Sequence, residues 1–264
     1  MPFGLKNAGS TYQRMMTKMF EPQLGKKVEV YIDDMVVKSK LVSEHVMDLT
    51  SIFEILREHK LRLNTSKYSF GVGSGKFLEF MVTHRGIKVN PDQIKAINNL
   101  QPPQNPKEVQ KFIGMMAALN RFISRSADRC RPFFLLLPKW KDFEWSEECV
   151  VAFQQLKQYL SHPPIMSSPV VDEVLFAYIA IAFYAISFVL IRVDSGIQRP
   201  VYYVSKSLNE AEVCYLPLEK AILAVVYAIR KLPHYFQAHT VVVLTQFPLK
   251  SIFRSKDYTG RIAK

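Results

Sequence analysis

The stretch VEVYIDDMVVK, residues 28–38, places two adjacent acidic residues inside a run that otherwise has the pattern of β-strands. Apolar residues alternate with other residues before the acidic pair and resume directly after it. Since period-two alternation is typical of strands, the stretch predicts a β-hairpin with Asp33 and Asp34 in its turn.

The residues alone leave two explanations for the acidic pair. Aspartate suits turns because its side chain bonds nearby backbone and tolerates unusual dihedral angles. Alternatively, two carboxylates held close together on a hairpin provide oxygen ligands for Mg²⁺, which binds through one or two carboxylates together with substrate phosphates.

The segment before the hairpin favours the second explanation. MPFGLKNAGSTYQRMMTKMF, residues 1–20, begins as a Pro/Gly loop and continues with Tyr12, Met15, Met16 and Met19 at helical spacing, which predicts an amphipathic helix. A Gly-containing loop and a helix, followed by YIDDM, resemble the polymerase palm of reverse transcriptases. The motifs resemble most closely those of gypsy-type long-terminal-repeat retrotransposons, and the plant members among them.

The resemblance covers nearly the whole chain. Residues 44–70 resemble the next palm helix and strand, residues 75–97 the primer-contacting strands and the start of the thumb, and residues 106–123 the thumb helix. The chain from residue 143 onward resembles an RNase H-like domain. The fold implied is α+β and α/β: a partial palm (1–85), a thumb or connection (86–140) and a C-terminally truncated RNase H-like mixed sheet with helices (141–264).

Local signals in the thumb segment agree with helices. Asn90 before Pro91, and Asn105 before Pro106, are cap and first-turn signals, and Glu108, three residues after the second cap, strengthens that signal. One buried face is predicted for the second helix and the residues after it, formed by Phe112, Met115, Leu119 and Phe122.

Charge is distributed unevenly along the chain. The net charge is +12, and residues 1–140 contain 22 basic and 12 acidic residues, whereas residues 141–264 contain 13 and 11. A basic excess in one region favours binding to a phosphate backbone, although scattered Lys and Arg on a solvated surface would give the same count. Three isolated cysteines predict a reducing compartment and no structural zinc.

An apolar run, VLFAYIAIAFYAISFVLI at residues 174–191, reaches the length at which a membrane helix must be considered. Its β-branched and aromatic residues, and the turn signal that follows, favour central strands buried on both faces of a mixed sheet. We expect no membrane association, although periodicity leaves a membrane-associating segment open. No signal peptide precedes the run, and we expect an intracellular protein, cytoplasmic or nuclear.

The resemblance assigns roles to individual residues of the palm. Asp33 and Asp34 match two of three aspartates that hold two Mg²⁺ ions during template-directed DNA synthesis, and the third lies upstream of the loop at which this chain begins. Phe3 and Gly4 match the floor of the nucleotide pocket, and Gln13 a helix facing template and nucleotide. Lys67 matches a lysine that protonates pyrophosphate, but it would otherwise be an ordinary exposed lysine.

The implied partners are an RNA template and a DNA primer, forming an RNA:DNA hybrid, and deoxynucleoside triphosphates. The hybrid backbone would be held by basic thumb residues, namely Lys107, Lys111, Arg121 and Arg125. Glu79 departs from the family, which usually has glycine there. We expect its negative charge to weaken the grip on the primer.

The RNase H-like segment departs further from its family. The two-metal chemistry of that domain needs a cluster of carboxylates, and Glu219 alone matches it. Ala180 and Gln246 stand at two other acidic positions, so we expect the strand that contains Ala180 to become wholly core. A different register, with Asp172 or Asp194 as the acid, remains open.

Three functions remain in view. The first is a segment of an RNA-directed DNA polymerase and RNase H, a nucleotidyltransferase and nuclease family, that is not catalytically competent alone. The second is a nucleic-acid-binding module without catalysis. The third is a structural RNase H-like domain that serves as an interaction platform.

Overall fold

Residues 4–39, 41–138 and 143–250 are described in the computed structural model, which separates the chain into two units, Met1–His84 and Arg85–Lys264. Each unit has its own helices and strands. The domain boundaries expected at 85/86 and 140/141 stay predictions.

The first unit combines helices with two short β-hairpins. Its elements are α1 (Ala8–Met19), β1 (Val28–Tyr31), β2 (Asp34–Val37), α2 (Val42–Glu58), a 3₁₀ helix (Thr65–Lys67), β3 (Ser74–Phe77) and β4 (Phe80–Thr83). β1 pairs with β2, and β3 with β4, both antiparallel. The hairpin predicted around the acidic pair is therefore present.

The core of this unit lies where α1 and α2 pack against the first hairpin. Its fully buried members are Met16, Phe20, Val28, Val30, Ile52 and Leu56. Tyr12 and Met19 pack against them, as helical spacing predicted. Met15 is 41% exposed, because it lies one position away from the buried face on which Met16 lies.

The second unit begins with a strand and a group of helices. These are β5 (Gly86–Val89), α3 (Pro91–Asn98), α4 (Pro106–Ala118), a 3₁₀ helix (Asn120–Phe122), α5 (Ser126–Arg129), α6 (Arg131–Phe134) and α7 (Glu147–Ser161). A sheet with further helices follows: β6 (Leu175–Ile181), β7 (Ala185–Asp194), β8 (Ile197–Ser207), α8 (Glu210–Val213), α9 (Pro217–Lys231), α10 (Pro233–Ala238) and β9 (Val241–Leu244).

The predicted cap residues begin both thumb-segment helices. The Asn90 side chain accepts a hydrogen bond from the backbone N–H of Asp92, and Asn105 accepts one from Glu108. The Glu108 carboxylate accepts in turn from the N–H of Gln104, one residue before the cap. Each cap satisfies a backbone donor that the first turn of the helix leaves unpaired.

An aromatic cluster joins α4 and α6 to the start of α7. The ring of Phe112 contacts Phe133 and Phe153 at centroid distances of 5.1 Å, and Trp145 stacks on Phe133 at 5.6 Å. The buried face of α4 consists of Pro106, Val109, Phe112 and Met116.

The expected position of Met115 on this buried face is wrong. Met116, seven residues after Val109, is 3% exposed, whereas Met115 is only partly buried. Leu119 and Phe122 are buried as predicted. A seven-residue step returns to the same face of a helix after two turns, which places Met116 on the buried face with Val109.

The apolar run at residues 174–191 forms strands β6 and β7 of a mixed sheet, in agreement with the prediction. The strand order is β8-β7-β6-β9, in which β6 runs antiparallel to β7 and parallel to β9. In the described ranges no helix has both the length and the apolar character needed to cross a bilayer.

Burial on both faces holds for β7 but is wrong for β6. Residues 185–188 of β7 are all buried, whereas Tyr178 and Ala180 on β6 are exposed. Contacts from α9 reach β6 and β7, and contacts from α5 reach β7 and β8. Helix α5, which precedes the sheet in the chain, therefore covers the face of β7 that α9 does not cover. The same face of β6 stays open.

We predict that the two adjacent methionines of α4 differ in their contribution to stability. Met116→Ala should lower the free energy of unfolding by about 2–5 kcal/mol, because it leaves a cavity at a buried position. Met115→Ala, the matched control, should cost less than about 1 kcal/mol. Urea unfolding followed by circular dichroism measures both, and equal losses would contradict the packing described.

Candidate functional site

The turn of the first hairpin consists of Ile32 and Asp33, not of the two aspartates. Tyr31 pairs with Asp34, so Asp34 is the first residue of β2. Ile32 has a φ of +48°, which is a rare conformation for a β-branched residue. The turn lies one residue earlier than the predicted Asp33–Asp34 turn. The pairing of Tyr31 with Asp34 leaves Ile32 and Asp33 as a two-residue loop. Both carboxylates are exposed.

Gln13 of α1 holds this turn through both ends of its side-chain amide. Its Oε1 accepts the backbone N–H of Ile32 at 2.5 Å, and its Nε2 donates to the carbonyl oxygen of Val30 at 3.1 Å. The sequence predicted a residue facing template and nucleotide. The structure places the amide against the hairpin, where it satisfies the N–H of the strained residue Ile32 and the carbonyl group of Val30, two residues earlier.

The two aspartates have different surroundings. The pKa of Tyr12 is raised, first by burial and then by the negative charges of Asp33 and Tyr68, so Asp33 lies near the hydroxyl group of Tyr12 on α1. Asp34 Oδ2 accepts the backbone N–H of Leu78 at 3.3 Å. Asp34 is thereby joined to the turn between β3 and β4.

The base of the hairpin is anchored by an aspartate that the sequence analysis did not identify. Asp48 of α2 is 6% exposed and accepts from Lys27 Nζ and Ser39 Oγ, both at 2.7 Å. Ser39 Oγ also lies 3.0 Å from His45 Nδ1. Lys27 precedes β1 and Ser39 follows β2, so one carboxylate ties both ends of the hairpin to α2.

Hydrogen bonds from Lys27 and Ser39 lower the pKa of Asp48 below its ordinary value. A carboxyl whose pKa is lowered in the folded state stabilises the fold above its unfolded pKa, and this contribution is lost as the pH falls through the folded value. The sequence contained a signal for this residue. Asp48, Ile52 and Leu56 follow at four-residue spacing on one buried helix face, where a charged group requires a partner.

The donor set of the hairpin suits Mg²⁺. Two carboxylates from adjacent residues match the preference of this ion for one or two carboxylates, with water and substrate phosphates as further ligands. Within the ranges that the structure describes, no group of three or more His, Cys, Asp or Glu residues could hold a metal ion. A metal ion at Asp33 and Asp34 would therefore need other oxygen donors as well.

The remaining predicted palm residues are placed as follows. Phe3 lies outside the described residues. Gly4 has a φ of +92°, a conformation that glycine adopts without strain. Lys67 is the last residue of the 3₁₀ helix and is exposed, so its assignment as a proton donor stays a prediction.

The four predicted phosphate-contacting residues differ in accessibility: two lysines are exposed, and two arginines contact other side chains of the second unit. Lys107 and Lys111 are exposed, and their four-residue spacing places them on the same side of α4. Arg121 is half-buried, and its guanidinium lies 4.8 Å from the ring centroid of Tyr202 on β8. Arg125 is exposed but forms an ion pair with Asp128 at 2.5 Å.

Three positions were matched to the acidic residues of RNase H-like domains, and they lie on different segments of the second unit. Ala180 is exposed on β6, opposite Ser187 of β7, and Gln246 is exposed after β9. The carboxylate of Glu219 accepts the backbone N–H of Leu216 at 2.8 Å, at the start of α9. Glu219 therefore has a capping role in the local structure, which the Pro217 and Glu219 pattern could have indicated.

The alternative acids lie at the other end of β6. Asp172 precedes the first residue of this strand, and Asp194 is the last residue of β7, where it forms an ion pair with Arg199 at 3.1 Å. Glu219 lies near the opposite end, because the adjacent Lys220 donates to the carbonyl oxygen of Phe183 at 2.9 Å. The seven residues of β6 span about 20 Å, too far for a shared metal.

Two protein families match the chain. Residues 1–114 match the reverse transcriptase (RNA-dependent DNA polymerase) family. Residues 145–243 match the RNase H-like domain found in reverse transcriptase.

Similar proteins are long polyproteins of transposons. The Drosophila melanogaster retrovirus-related Pol polyprotein from transposon 297 is 31% identical over 266 residues, which cover 100% of this chain and 25% of that protein. The corresponding polyprotein from transposon opus is 30% identical and is covered to 28%. The Schizosaccharomyces pombe transposon Tf2-3 polyprotein is 25% identical over 99% of this chain and 19% of its own length. The chain thus spans about a quarter of these relatives.

Solved structures with the same fold include those of a foamy viral protease-reverse transcriptase. The form named dRH, in complex with ds DNA, has a TM-score of 0.84 at 20% identity, over 97% of this chain and 45% of that one. The complex with RNA/DNA hybrid has a TM-score of 0.82 at 20% identity, over 98% and 36%. At this identity the similarity shows the fold alone.

We predict that Gln13→Ala loosens the turn of the first hairpin. Loss of the bonds to Ile32 and Val30 should lower the free energy of unfolding by about 1–3 kcal/mol, although alanine favours the helix itself. Amide exchange at Ile32, followed by NMR, should become faster. Arg14→Ala removes the neighbouring exposed side chain and is the control. The clamp is refuted if both variants exchange at the wild-type rate.

Proposed function

We propose that this chain, a reverse transcriptase and RNase H-like segment of a retrotransposon polyprotein, binds the duplex of template and primer and supplies two of the metal ligands for RNA-directed DNA synthesis. We propose further that residues 1–264 alone catalyse neither polymerisation nor RNA cleavage. The proposal that the chain supplies two metal ligands rests on the hairpin with Asp33 and Asp34. Gln13 bonds this hairpin at its tip, and Asp48 bonds it at its base.

The supporting argument for metal binding is chemical. Mg²⁺ held by Asp33 and Asp34 would activate the primer hydroxyl and neutralise charge on the leaving pyrophosphate. The protein's own contribution is to hold the two carboxylates at fixed positions. Gln13 bonds the backbone of Val30 and Ile32 at the tip of the hairpin, and Asp48 fixes the two strand ends.

Duplex binding is supported by charge and by the solved relatives. Residues 1–140 contain ten more basic than acidic residues, from the counts of 22 and 12. The structurally similar foamy viral proteins were solved with dsDNA and with RNA/DNA hybrid. Lys107 and Lys111 are the most accessible of the predicted phosphate contacts, because Arg121 lies against Tyr202 and Arg125 against Asp128.

The second part of the proposal, the absence of hybrid cleavage, is supported by the positions of the acidic residues. Ala180 offers no ligand, Gln246 offers a neutral amide oxygen, and Glu219 is bonded to the N–H of Leu216. An RNase H-type reaction needs several carboxylates that hold two metal ions side by side. A structural interaction domain is the second candidate, favoured by the open face of β6 with exposed Tyr178 and Ala180.

The finer affiliation of the chain is also a proposal. We propose that the polyprotein belongs to the gypsy type of long-terminal-repeat retrotransposons, and to its plant members. The support is the succession of the Pro-Phe-Gly loop, the YIDDM hairpin and the NTSKYSF segment in residues 1–70. The sequence of the complete transcript, placed in a phylogeny with plant and animal elements, tests this affiliation.

We predict that the chain binds RNA:DNA hybrid weakly, without sequence preference and with a strong dependence on salt. If about six phosphates are neutralised, the logarithm of the affinity should fall against the logarithm of salt concentration with a slope near −5. Fluorescence anisotropy with labelled hybrid measures this slope between about 50 and 200 mM salt.

The double variant Lys107→Ala and Lys111→Ala should lower the magnitude of the slope by about 2, because each lysine neutralises about one phosphate. The matched control, Arg230→Ala with Lys231→Ala, removes the same charge from α9 and should leave the slope unchanged. A flat salt response in the wild type would leave the interaction platform as the better proposal.

We predict that purified residues 1–264 neither extend a primer on an RNA template nor cleave the RNA strand of a hybrid. Two carboxylates cannot assemble the two-metal site by themselves, and the RNase H-like acids do not converge. Gel assays with Mg²⁺ or Mn²⁺ measure both reactions. Extension abolished by Asp33→Asn, or cleavage abolished by Glu219→Gln, would disprove the respective half of the proposal.

A further inference from the structure

A hydrogen bond joins the hairpin that contains Asp34 to the next hairpin of the first unit. The donor is the backbone N–H of Leu78 and the acceptor is Asp34 Oδ2, at 3.3 Å. The two residues are 44 positions apart in the chain. A backbone donor is fixed by its own secondary structure, so it restrains a carboxylate more firmly than a flexible side chain would.

The donor lies in a turn that its own sequence does not favour. Phe77 pairs with Phe80, so Leu78 and Glu79 form a two-residue loop, with φ values of +49° and +67°. Positive φ at both loop residues is typical of Asn-Gly or Gly-Gly turns, because side chains of L-residues clash in that region. Such a conformation persists when surrounding contacts hold it. The bond to Asp34 is one such contact.

We infer that Leu78 and Asp34 position each other, so that a divalent cation at Asp34 is coupled to the turn between β3 and β4. The inference rests on the proposed role of Asp34 as a metal ligand. A carboxylate has about four lone-pair sites and the N–H occupies one, so Asp34 can hold the turn and a cation together. Leu78 acts here through its backbone and is a positioning residue.

Cation binding at Asp34 and the hydrogen bond to Leu78 oppose each other. A cation withdraws electron density from the carboxylate and weakens its bond to the Leu78 N–H. Conversely, the bond to the Leu78 N–H draws electron density from the carboxylate and weakens cation binding, so loss of the bond strengthens cation binding. Thermodynamic linkage requires the two effects to be equal in free energy. The turn that resembles the primer-contacting segment would thereby respond to the ion that activates the primer.

Amide exchange of Leu78 in the metal-free chain tests the bond itself. In Asp34→Ala, the Leu78 N–H should exchange with water about tenfold faster than in the wild type, since a charged acceptor is lost. Asp33→Ala is the matched control, because it removes the same charge from the adjacent residue. It should change Leu78 exchange less than about twofold. Equal acceleration in both variants, or none in either, overturns the inference.

A second variant covers the case in which Asp34→Ala fails to fold, which far-ultraviolet circular dichroism will show. Asp34→Asn keeps the shape of the side chain and a neutral acceptor, and bonds to neutral acceptors are about half as strong. Leu78 exchange should then rise about two- to fivefold. A rate equal to that of the wild type in a folded Asp34→Asn chain overturns the inference.

Titration with MgCl₂, followed by the backbone amide resonances, tests the coupling. In the wild type the resonances of Asp33, Asp34 and Leu78 should all shift, and the Leu78 shift should vanish in Asp34→Ala. Shifts at the two aspartates without one at Leu78 overturn the coupling and leave the proposed metal role intact. No shift at any of the three contradicts the metal role itself, and the inference with it. Neither experiment uses nucleic acid, so failure of duplex binding is a separate result.

Discussion

The two-residue turn at Ile32 and Asp33 is the constraint on which the candidate site depends. A loop this short fixes the register of β1 and β2, and it forces a β-branched residue to a φ of +48°. Residual strain of this kind, about 1–2 kcal/mol, must be offset by contacts outside the loop. Gln13 supplies them at the tip, where one amide satisfies the N–H of Ile32 and the carbonyl of Val30. Asp48 supplies them at the base through Lys27 and Ser39.

Several arginines of the second unit stabilise packing inside that unit. The guanidinium groups of Arg121, Arg129 and Arg131 lie 4.8, 4.8 and 3.7 Å from the ring centroids of Tyr202, Tyr159 and Tyr184. Each contact of this kind contributes about 0.5–2 kcal/mol and removes part of the cation from solvent. A count of basic residues therefore overstates the charge available to a phosphate backbone. The exposed lysines of α4 retain that capacity because α4 turns its apolar face toward the aromatic cluster.

The sequence predicted those features that are determined by local pattern. The hairpin, the caps at Asn90 and Asn105 and the mixed sheet of β6 and β7 all follow from periodicity or from cap chemistry within a few residues. Helical spacing predicts Met115 on the buried face with Phe112, Leu119 and Phe122, but the adjacent Met116 fits the same spacing, and tertiary packing buries Met116 instead. The bonds of Gln13 and Asp34 join residues 19 and 44 positions apart, and no local pattern carries such information.

The RNase H-like sheet keeps an open face on β6, at the strand that contains Ala180. The strand that contains Ala180 did not become wholly buried, although no charge remains there to require solvent. Its neighbour β7 is covered by α5, whereas Tyr178 and Ala180 stay exposed on β6. This face of β6 stays open because α5, which covers the neighbouring strands, contacts β7 and β8. Glu219 remains useful as the cap partner of Leu216 whether or not a metal binds. The start of α9 therefore does not depend on a metal ion at Glu219, because the carboxylate already bonds the backbone N–H that the first turn of the helix leaves unpaired.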